Sequence, residues 1–272
     1  MFTTFVINLD KDKERMVHMH NQLTKLDIEY RRQSAILGKE YQPTLSEYDE
    51  ELAIKNSGHK MLSGEVGCAL SHAKVLENIV QEKISYTLIL EDDVVLPDNF
   101  KEILEREIKR NKNKWEYLLF DYMSVGRPFL ALWYQGIRRN YSNLKDFSLQ
   151  IKLKFILIHI LKTIYIVPLS FFEKLRDIYK LKNPGPVIFF RPVYFAGAYL
   201  VTLSGAEKLY SLTRPVVYTA DHLPNRARVK KDLKFRCYAP LVVFQSRTIF
   251  GSSILDLTGE QVKDLLNNNL NI

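Results

Sequence analysis

"YTLILEDDVVLPDNF", residues 86–100, runs five mostly apolar residues straight into Glu91, Asp92 and Asp93. A short apolar run of this kind, followed by Pro97 and the helix-forming "PDNFKEILEREIKRN", reads as a buried strand that hands over to a helix. Three adjacent carboxylates at the mouth of such a strand repel one another, and loss of water near a core strengthens the repulsion. A positive charge is therefore expected close by.

Outward from this stretch the pattern alternates. "FTTFVINL" is a β-rich run, and Met16, Met19, Leu23 and Leu26 follow it at helical spacing. "IEYRRQSAIL" reads as a second strand, and the polar stretch from Gly38 to Gly58 as a loop with a short helix around "LSEYDEELAIKN". "SGEVGCALSHAKVLENIVQEK" is a long helix with Ser63 as its expected N-cap. "WEYLLFDYM" and "VYFAGAYLVTL" are further strands, the second carrying Ala196 and Gly197 where a ligand or backbone could approach closely. "SGAEKLYSL" is a short helix expected to be capped by Ser204. The order predicts an α/β fold with a mainly parallel sheet over the first half. Such sheets bind ligands at the carboxyl ends of their strands, which is where Asn8, the acidic triplet and Asp121 fall.

The composition, 46% hydrophobic and 26% charged over 272 residues, is that of a globular protein and excludes a disordered or fibrous chain. The net charge of +8 points to an anionic partner. Most of it is local: residues 136–182 hold ten basic residues against three acidic ones. The apolar "FILIHILKTIYIVPLSFF" inside this stretch is broken by Lys162 and Pro168, too short to span a bilayer but suited to lying on an anionic membrane surface. A helical subdomain with a solvated basic face is the plainer alternative. No nucleic-acid module is present, so nucleic acid is not expected as a partner. Cys68 and Cys237 have no metal-ligand spacing and are expected reduced and buried. "MFTTFVINLDKDKER" lacks a basic leader and reads as a first strand, which makes a cytoplasmic location the expectation.

Two or three carboxylates at a strand end form half a site for a hard divalent cation, Mg²⁺ or Mn²⁺, completed by phosphate oxygens and water. Such an ion would offset the repulsion and neutralise a leaving diphosphate. A solvated turn before a helix is the alternative. "VINLDKDKER" has two readings. Its Asp-x-Asp is similar to that of the haloacid-dehalogenase phosphatases, with Asp10 as nucleophile and Asp12 as acid, but Glu14 stands where that family has Thr or Val. In the other reading Asn8 binds a base or ribose while Arg15 faces a phosphate. Ser71 and His72 fall mid-helix among the small residues Gly67, Cys68, Ala69 and Ala73, either as structural residues or beside a ligand.

Taken together, "FVINLDKDKER", "LSGEVGCALSHAKVLENI", "LILEDDVVL" and "FAGAYLVTLSGAEKL", in this order, resemble the blocks of glycosyltransferase family 25. That family includes bacterial lipooligosaccharide galactosyl- and glucosyltransferases and the collagen galactosyltransferase domains. The resemblance implies one GT-A-type domain over 1–272, a mixed, mainly parallel sheet flanked by helices. Residues 1–125 would be the nucleotide-sugar half, 136–182 a basic apolar helical insertion, and 187–272 the acceptor side. It further implies a UDP-galactose or UDP-glucose donor, a lipid-linked oligosaccharide acceptor, Mn²⁺ or Mg²⁺ as cofactor, and inversion to a β-linkage on the cytoplasmic face of the inner membrane.

Within the resemblance the triplet takes the place of the family's Asp-x-Asp, with Asp93 as metal ligand and Glu91 or Asp92 assisting or touching ribose. Asn8, Arg15, Ser71 and His72 would belong to the nucleotide pocket. An inverting transfer needs a base for the acceptor hydroxyl; Asp221 in "YTADHL" is the first candidate and Asp121 the second. His222 could reach the metal, and "PLVVFQSRTIFGSSI" would bring Gln245 and Ser252 or Ser253 to the site. A non-catalytic relative with the same fold and a metal-dependent phosphate hydrolase are the competing functions.

Overall fold

The computed structural model describes residues 2–57, 60–122, 176, 179–189 and 192–245. Among these the order along the chain is β1 (Thr3–Asn8), α1 (Lys13–Lys25), β2 (Arg31–Ser34), α2 (Glu50–Ser57), α3 (Ser63–Glu82), β3 (Tyr86–Glu91) and β4 (Val94–Val95). There follow α4 (Phe100–Arg110), β5 (Tyr117–Leu119), β6 (Gly185–Val187), β7 (Ala198–Thr202), α5 (Leu203–Tyr210), α6 (Leu223–Lys230), β8 (Phe235–Ala239) and β9 (Phe244–Gln245). The chain divides into two compact units, residues 1–123 with 185–272, and residues 124–184. Every element named here lies in the first. Of the basic stretch 136–182, all but residues 176 and 179–182 lie outside the described residues, as do Ser252 and Ser253.

Seven strands form one sheet in the order β2-β1-β3-β7-β5-β8-β6. β1, β2 and β3 are mutually parallel and β5 is parallel to β8, while β7 and β6 run against their neighbours. This is the mixed, mainly parallel α/β sheet expected. β4 and β9 make a separate antiparallel pair.

Strand pleat explains why β3 is apolar throughout. Successive side chains point to opposite faces of the sheet, and both faces are covered. Leu88 and Leu90 pack with Met19 and Leu23 of α1 and Phe100, Ile103 and Leu104 of α4. Ile89 packs with Val66, Leu70, Ala73 and Leu76 of α3. β5 divides in the same way, Leu118 to the α1 and α4 side and Tyr117 and Leu119 to the α3 side.

Three local expectations are corrected. The N-cap of α3 is Leu62, not Ser63; the Glu65 carboxylate accepts from the Leu62 backbone N–H at 2.8 Å and so does the work of the cap. The cap of α5 is Thr202, whose hydroxyl accepts from Gly205 N, while Ser204 donates to Glu116 instead. Cys237 is buried, but Cys68 is only partly so; both are free thiols.

The start of α3 lies against the loop after β2 at unusually short range. A Cβ on Gly67 would stand 2.5 Å from Ile36 O and 2.7 Å from Gly38 N, and one on Gly38 would stand 1.7 Å from Ser63 O. Ser71 adds the complementary bond, its hydroxyl accepting from Ile36 N at 2.8 Å and donating to Gly67 O at 2.6 Å. Gly67→Ala therefore tests two opposed effects. Helix propensity alone would stabilise the protein by about 1 kcal/mol, whereas pressing a methyl into backbone costs about 1–3 kcal/mol. The clash is with backbone on both sides and should win, so urea unfolding of Gly67→Ala should show a net loss of stability.

Candidate functional site

The end of β3 and the turn after it carry the acidic triplet apart. Glu91 continues the face of Ile89 toward α3, where its Oε1 meets His72 Nε2 at 3.2 Å and Cys68 Sγ at 3.8 Å. Asp92 goes to the α1 side. There it accepts from Asn8 Nδ2 at 2.7 Å and from Arg15 Nη1 at 3.2 Å, and the same guanidinium nitrogen stands 4.0 Å from Asp93 Oδ2. The positive charge that the triplet requires is thus present in the chain itself, at least for Asp92 and Asp93. Arg15 is buried, and it faces these carboxylates rather than open solvent.

Asn8, read from the sequence as a contact for base or ribose, is largely taken up by protein. Its amide donates to Asp92 and to Asp12 O, and its oxygen accepts from Arg32 Nε at 2.9 Å. It is a bracket that aims Asp92. Asp10, the nucleophile of the phosphatase reading, is exposed and tied to Arg32 and Ser34. Those bonds hold its carboxyl below the usual carboxylate range.

Burial raises the Asp92 carboxyl above its ordinary value despite the pull of Asn8 and Arg15. His72 is buried between two partners, with Nδ1 2.9 Å from Tyr199 Oη and its ring stacked on that of Tyr199 at 5.8 Å. If Nε2–H donates to Glu91, Nδ1 accepts from the tyrosine hydroxyl, and the chain Tyr199–His72–Glu91 is satisfied in one neutral tautomer. Tyr199 carried no signal in the sequence. Cys68 did: it precedes His72 by one helical turn.

Two adjoining pockets open on this edge of the sheet. The larger is an open cleft of about 750 Å³, part of it solvent at the mouth, lined by Asn8, Arg15, Gly38, Cys68, Ser71, His72 and all three acids. The second, about 470 Å³, shares Cys68 and Glu91 with it and adds Phe195, Ala196, Asp221 and Gln245. Seven sequence-picked residues therefore meet in one cleft, and Asp221 and Gln245 meet Glu91 next door. Asp221 is partly buried just ahead of α6, its Oδ1 accepting from Thr219 Oγ1 at 2.6 Å. His222 lines a further pocket with Asp221, its ring tilted by 49° against that of Tyr194 at 5.0 Å.

Asp121 lines neither of the two pockets. It is buried behind them, its two oxygens accepting from Gly197 N at 2.9 Å and Ala198 N at 3.0 Å. What approaches Gly197 closely is this carboxylate: a Cβ there would stand 2.5 Å from Asp121 Oδ2 and 2.7 Å from Gln245 Nε2. Gln245, aligned by the β4–β9 pairing, reaches 3.4 Å from both Asp121 Oδ2 and Glu91 Oε2. Burial, then the charges of Glu91 and Asp93, push the Asp121 carboxyl well above its usual value, and the two backbone donors pull it back only in part. Glu91 and Asp93, whose charges act on Asp121, are the acids that could offer oxygen donors to a divalent cation. Asp92 is less available because Asn8 and Arg15 hold it.

The model of Glycosyltransferase family 25 (LPS biosynthesis protein) matches residues 1–224. Among curated proteins the chain is 29% identical over 122 residues to the "Probable inactive glycosyltransferase 25 family member 3" of Rattus norvegicus, covering 42% of this chain and 21% of that one. It is 31% identical over 101 residues to a "Putative glycosyltransferase" of Haemophilus influenzae (37% and 36%) and 30% identical over 138 residues to "Procollagen galactosyltransferase 2" of Mus musculus (47% and 22%). The chain thus spans between about a fifth and just over a third of the length of these relatives.

The raised Asp121 carboxyl has a measurable consequence. In the unfolded chain it titrates near 3.9, and in the fold above that. Its contribution to stability is complete below the unfolded value and is lost as pH rises through the folded one. In urea unfolding with chelator present, the wild type should lose stability relative to Asp121→Asn as pH rises from 4 toward 7, by up to about 1.4 kcal/mol per pH unit. A difference that stays constant with pH would mean the carboxyl is not raised.

Proposed function

Because the chain belongs to glycosyltransferase family 25, we propose that it transfers galactose or glucose from a UDP-sugar, with Mn²⁺ or Mg²⁺ as cofactor, to a hydroxyl of a bacterial lipid-linked oligosaccharide of the lipooligosaccharide type, forming a β-linkage. The observation that carries this reading is the split acidic triplet at the carboxyl end of β3, beside that of β1, opening on two joined pockets of which one holds Asp221. A nucleotide diphosphate suits the larger pocket, where Arg15 and the backbone around Gly38 and Gly64 lie beside the acids. Glu91 and Asp93 would hold the metal, which when bound neutralises charge on the leaving diphosphate. His72, braced by Tyr199, fixes the orientation of Glu91, and Asn8 with Arg15 fixes Asp92.

Asp221 acts as base. Its carboxylate takes the proton of the acceptor hydroxyl as that oxygen attacks the anomeric carbon from the side opposite the diphosphate, so the configuration inverts. Gln245 sits between Glu91 and Asp121 and keeps the two carboxyls apart. No described helix is long and apolar enough to cross a membrane. Docking of the basic stretch 136–182 on the anionic cytoplasmic leaflet would bring the enzyme to such an acceptor.

Calorimetric titration of UDP tests the centre of this reading. Binding should require Mn²⁺ and collapse in Asp93→Ala; absence of binding with and without metal would favour a non-catalytic member of the family. Asp221→Asn should keep UDP binding and lower turnover of a competent donor and acceptor pair about 10²–10⁴-fold; turnover near wild type would remove Asp221 as base. Neutralising the basic residues of 136–182 should weaken binding to anionic vesicles, and unchanged binding would remove the membrane-docking part.

A further inference from the structure

Cys68 and His72 stand four residues apart on α3, the spacing that places two side chains on one face of a helix. Glu91, at the end of β3, faces both. Its Oε1 lies 3.2 Å from His72 Nε2 and 3.8 Å from Cys68 Sγ, and the three donor atoms fall within 4.8 Å of one another. Four-coordinate zinc, with bonds of about 2.0–2.3 Å, sets its donors roughly 3.3–3.8 Å apart. The two separations from Glu91, 3.2 and 3.8 Å, fall within about 0.1 Å of that range. The remaining nitrogen of His72 lies 2.9 Å from Tyr199 Oη, with the two rings stacked. An outer hydrogen bond of this kind fixes the ring and tautomer of a metal-bound histidine. All three ligands also line the larger pocket, so an ion could enter from solvent and keep one position open.

We propose that Cys68, His72 and Glu91 form a three-ligand site for a borderline-soft divalent cation, Zn²⁺ above all. On loading, the Cys68 S–H bond breaks as the sulfur–zinc bond forms, and the proton leaves to water or buffer. His72 exchanges its proton from Nε2 to Nδ1 through solvent, so that Nε2 gives its lone pair to the metal and Nδ1–H donates to the Tyr199 oxygen, whose own hydroxyl hydrogen rotates away; Glu91 gives a carboxylate oxygen. Sulfur and imidazole donors suit zinc, whereas Mg²⁺ and Mn²⁺ prefer oxygen. The site shares Glu91 with the pair proposed for the hard ion and differs from it in its sulfur and imidazole donors, so the two ions would compete for that carboxylate. It does not depend on sugar transfer, and a protein without UDP binding could still hold zinc here.

The test uses the full chain, stripped with chelator and titrated with Co²⁺. One equivalent should give a thiolate-to-cobalt absorption band that Zn²⁺ abolishes; the band should be missing in Cys68→Ser and retained in Cys237→Ser. On the unmutated protein, Zn²⁺ should slow alkylation of Cys68 by iodoacetamide about tenfold or more, since the metal masks the nucleophilic thiolate, with the site located by peptide mass. No thiolate band at saturating Co²⁺, a band that survives Cys68→Ser, or alkylation at an equal rate with and without Zn²⁺ would each overturn the proposal. The alkylation arm involves no substitution, so a misfolded variant cannot imitate either result.

Discussion

Separation of the three acids where β3 ends is the constraint on which the rest of the cleft depends. Glu91, the last residue of the strand, turns toward α3, while Asp92 and Asp93 in the turn that follows face Arg15 of α1. Each then meets its own partners: a histidine braced by a tyrosine on one face, an arginine and an asparagine on the other. Two helices on opposite sides of the sheet are thereby tied to one strand end by polar contacts, and the larger pocket opens at that end. The close approach of Gly38 and Gly67 completes the wall, since a bulkier residue at either position would push α3 off the loop.

The antiparallel strand supplies the second half of the cleft. Because β7 runs against β3 and β5, its first residue, not its last, lies at the carboxyl edge. That direction brings Gly197 and Ala198 to the Asp121 carboxylate and lets Gln245 lie over it. Asp121 is a structural anchor in this arrangement. Its oxygens end the β7–β5 seam, and its carboxyl is raised by burial first and by the charge of Glu91 second.

Much of this was legible in the sequence, and the reasons differ by element. Apolar runs at 86–90 and 117–119 are buried on both faces and announce themselves by composition alone. Helices α1 and α3 show their periodicity, and Asn8, Arg15 and the acids reach the cleft because strand ends and the first turn of α1 converge on one edge, while His72 reaches it from the middle of α3. What could not be read was partner choice. Arg15 carries no mark that says carboxylate rather than phosphate, and Tyr199 sits 127 positions from the histidine it orients. The caps at Leu62 and Thr202 lie one and two residues before Ser63 and Ser204, because the Glu65 carboxylate meets a free backbone group of α3 and the Thr202 hydroxyl meets one of α5. The direction of β7 leaves no trace in a local pattern, and with it went the role of Asp121.

The two halves of the acidic turn are satisfied over very different distances along the chain. Glu91 finds His72 only 19 residues away, within the α3–β3 unit, whereas Asp92 must wait for Arg15 and Asn8 across 77 and 84 residues. Loop closure over such spans is slow and entropically costly compared with local contact. A chain that has paired α3 with β3 but not yet brought in β1 and α1 therefore keeps Asp92 and Asp93 in water and resists burying that strand end. The carboxylates that shape the finished cleft thus also discourage its premature closure, and they tie completion of the sheet to arrival of the first strand and helix.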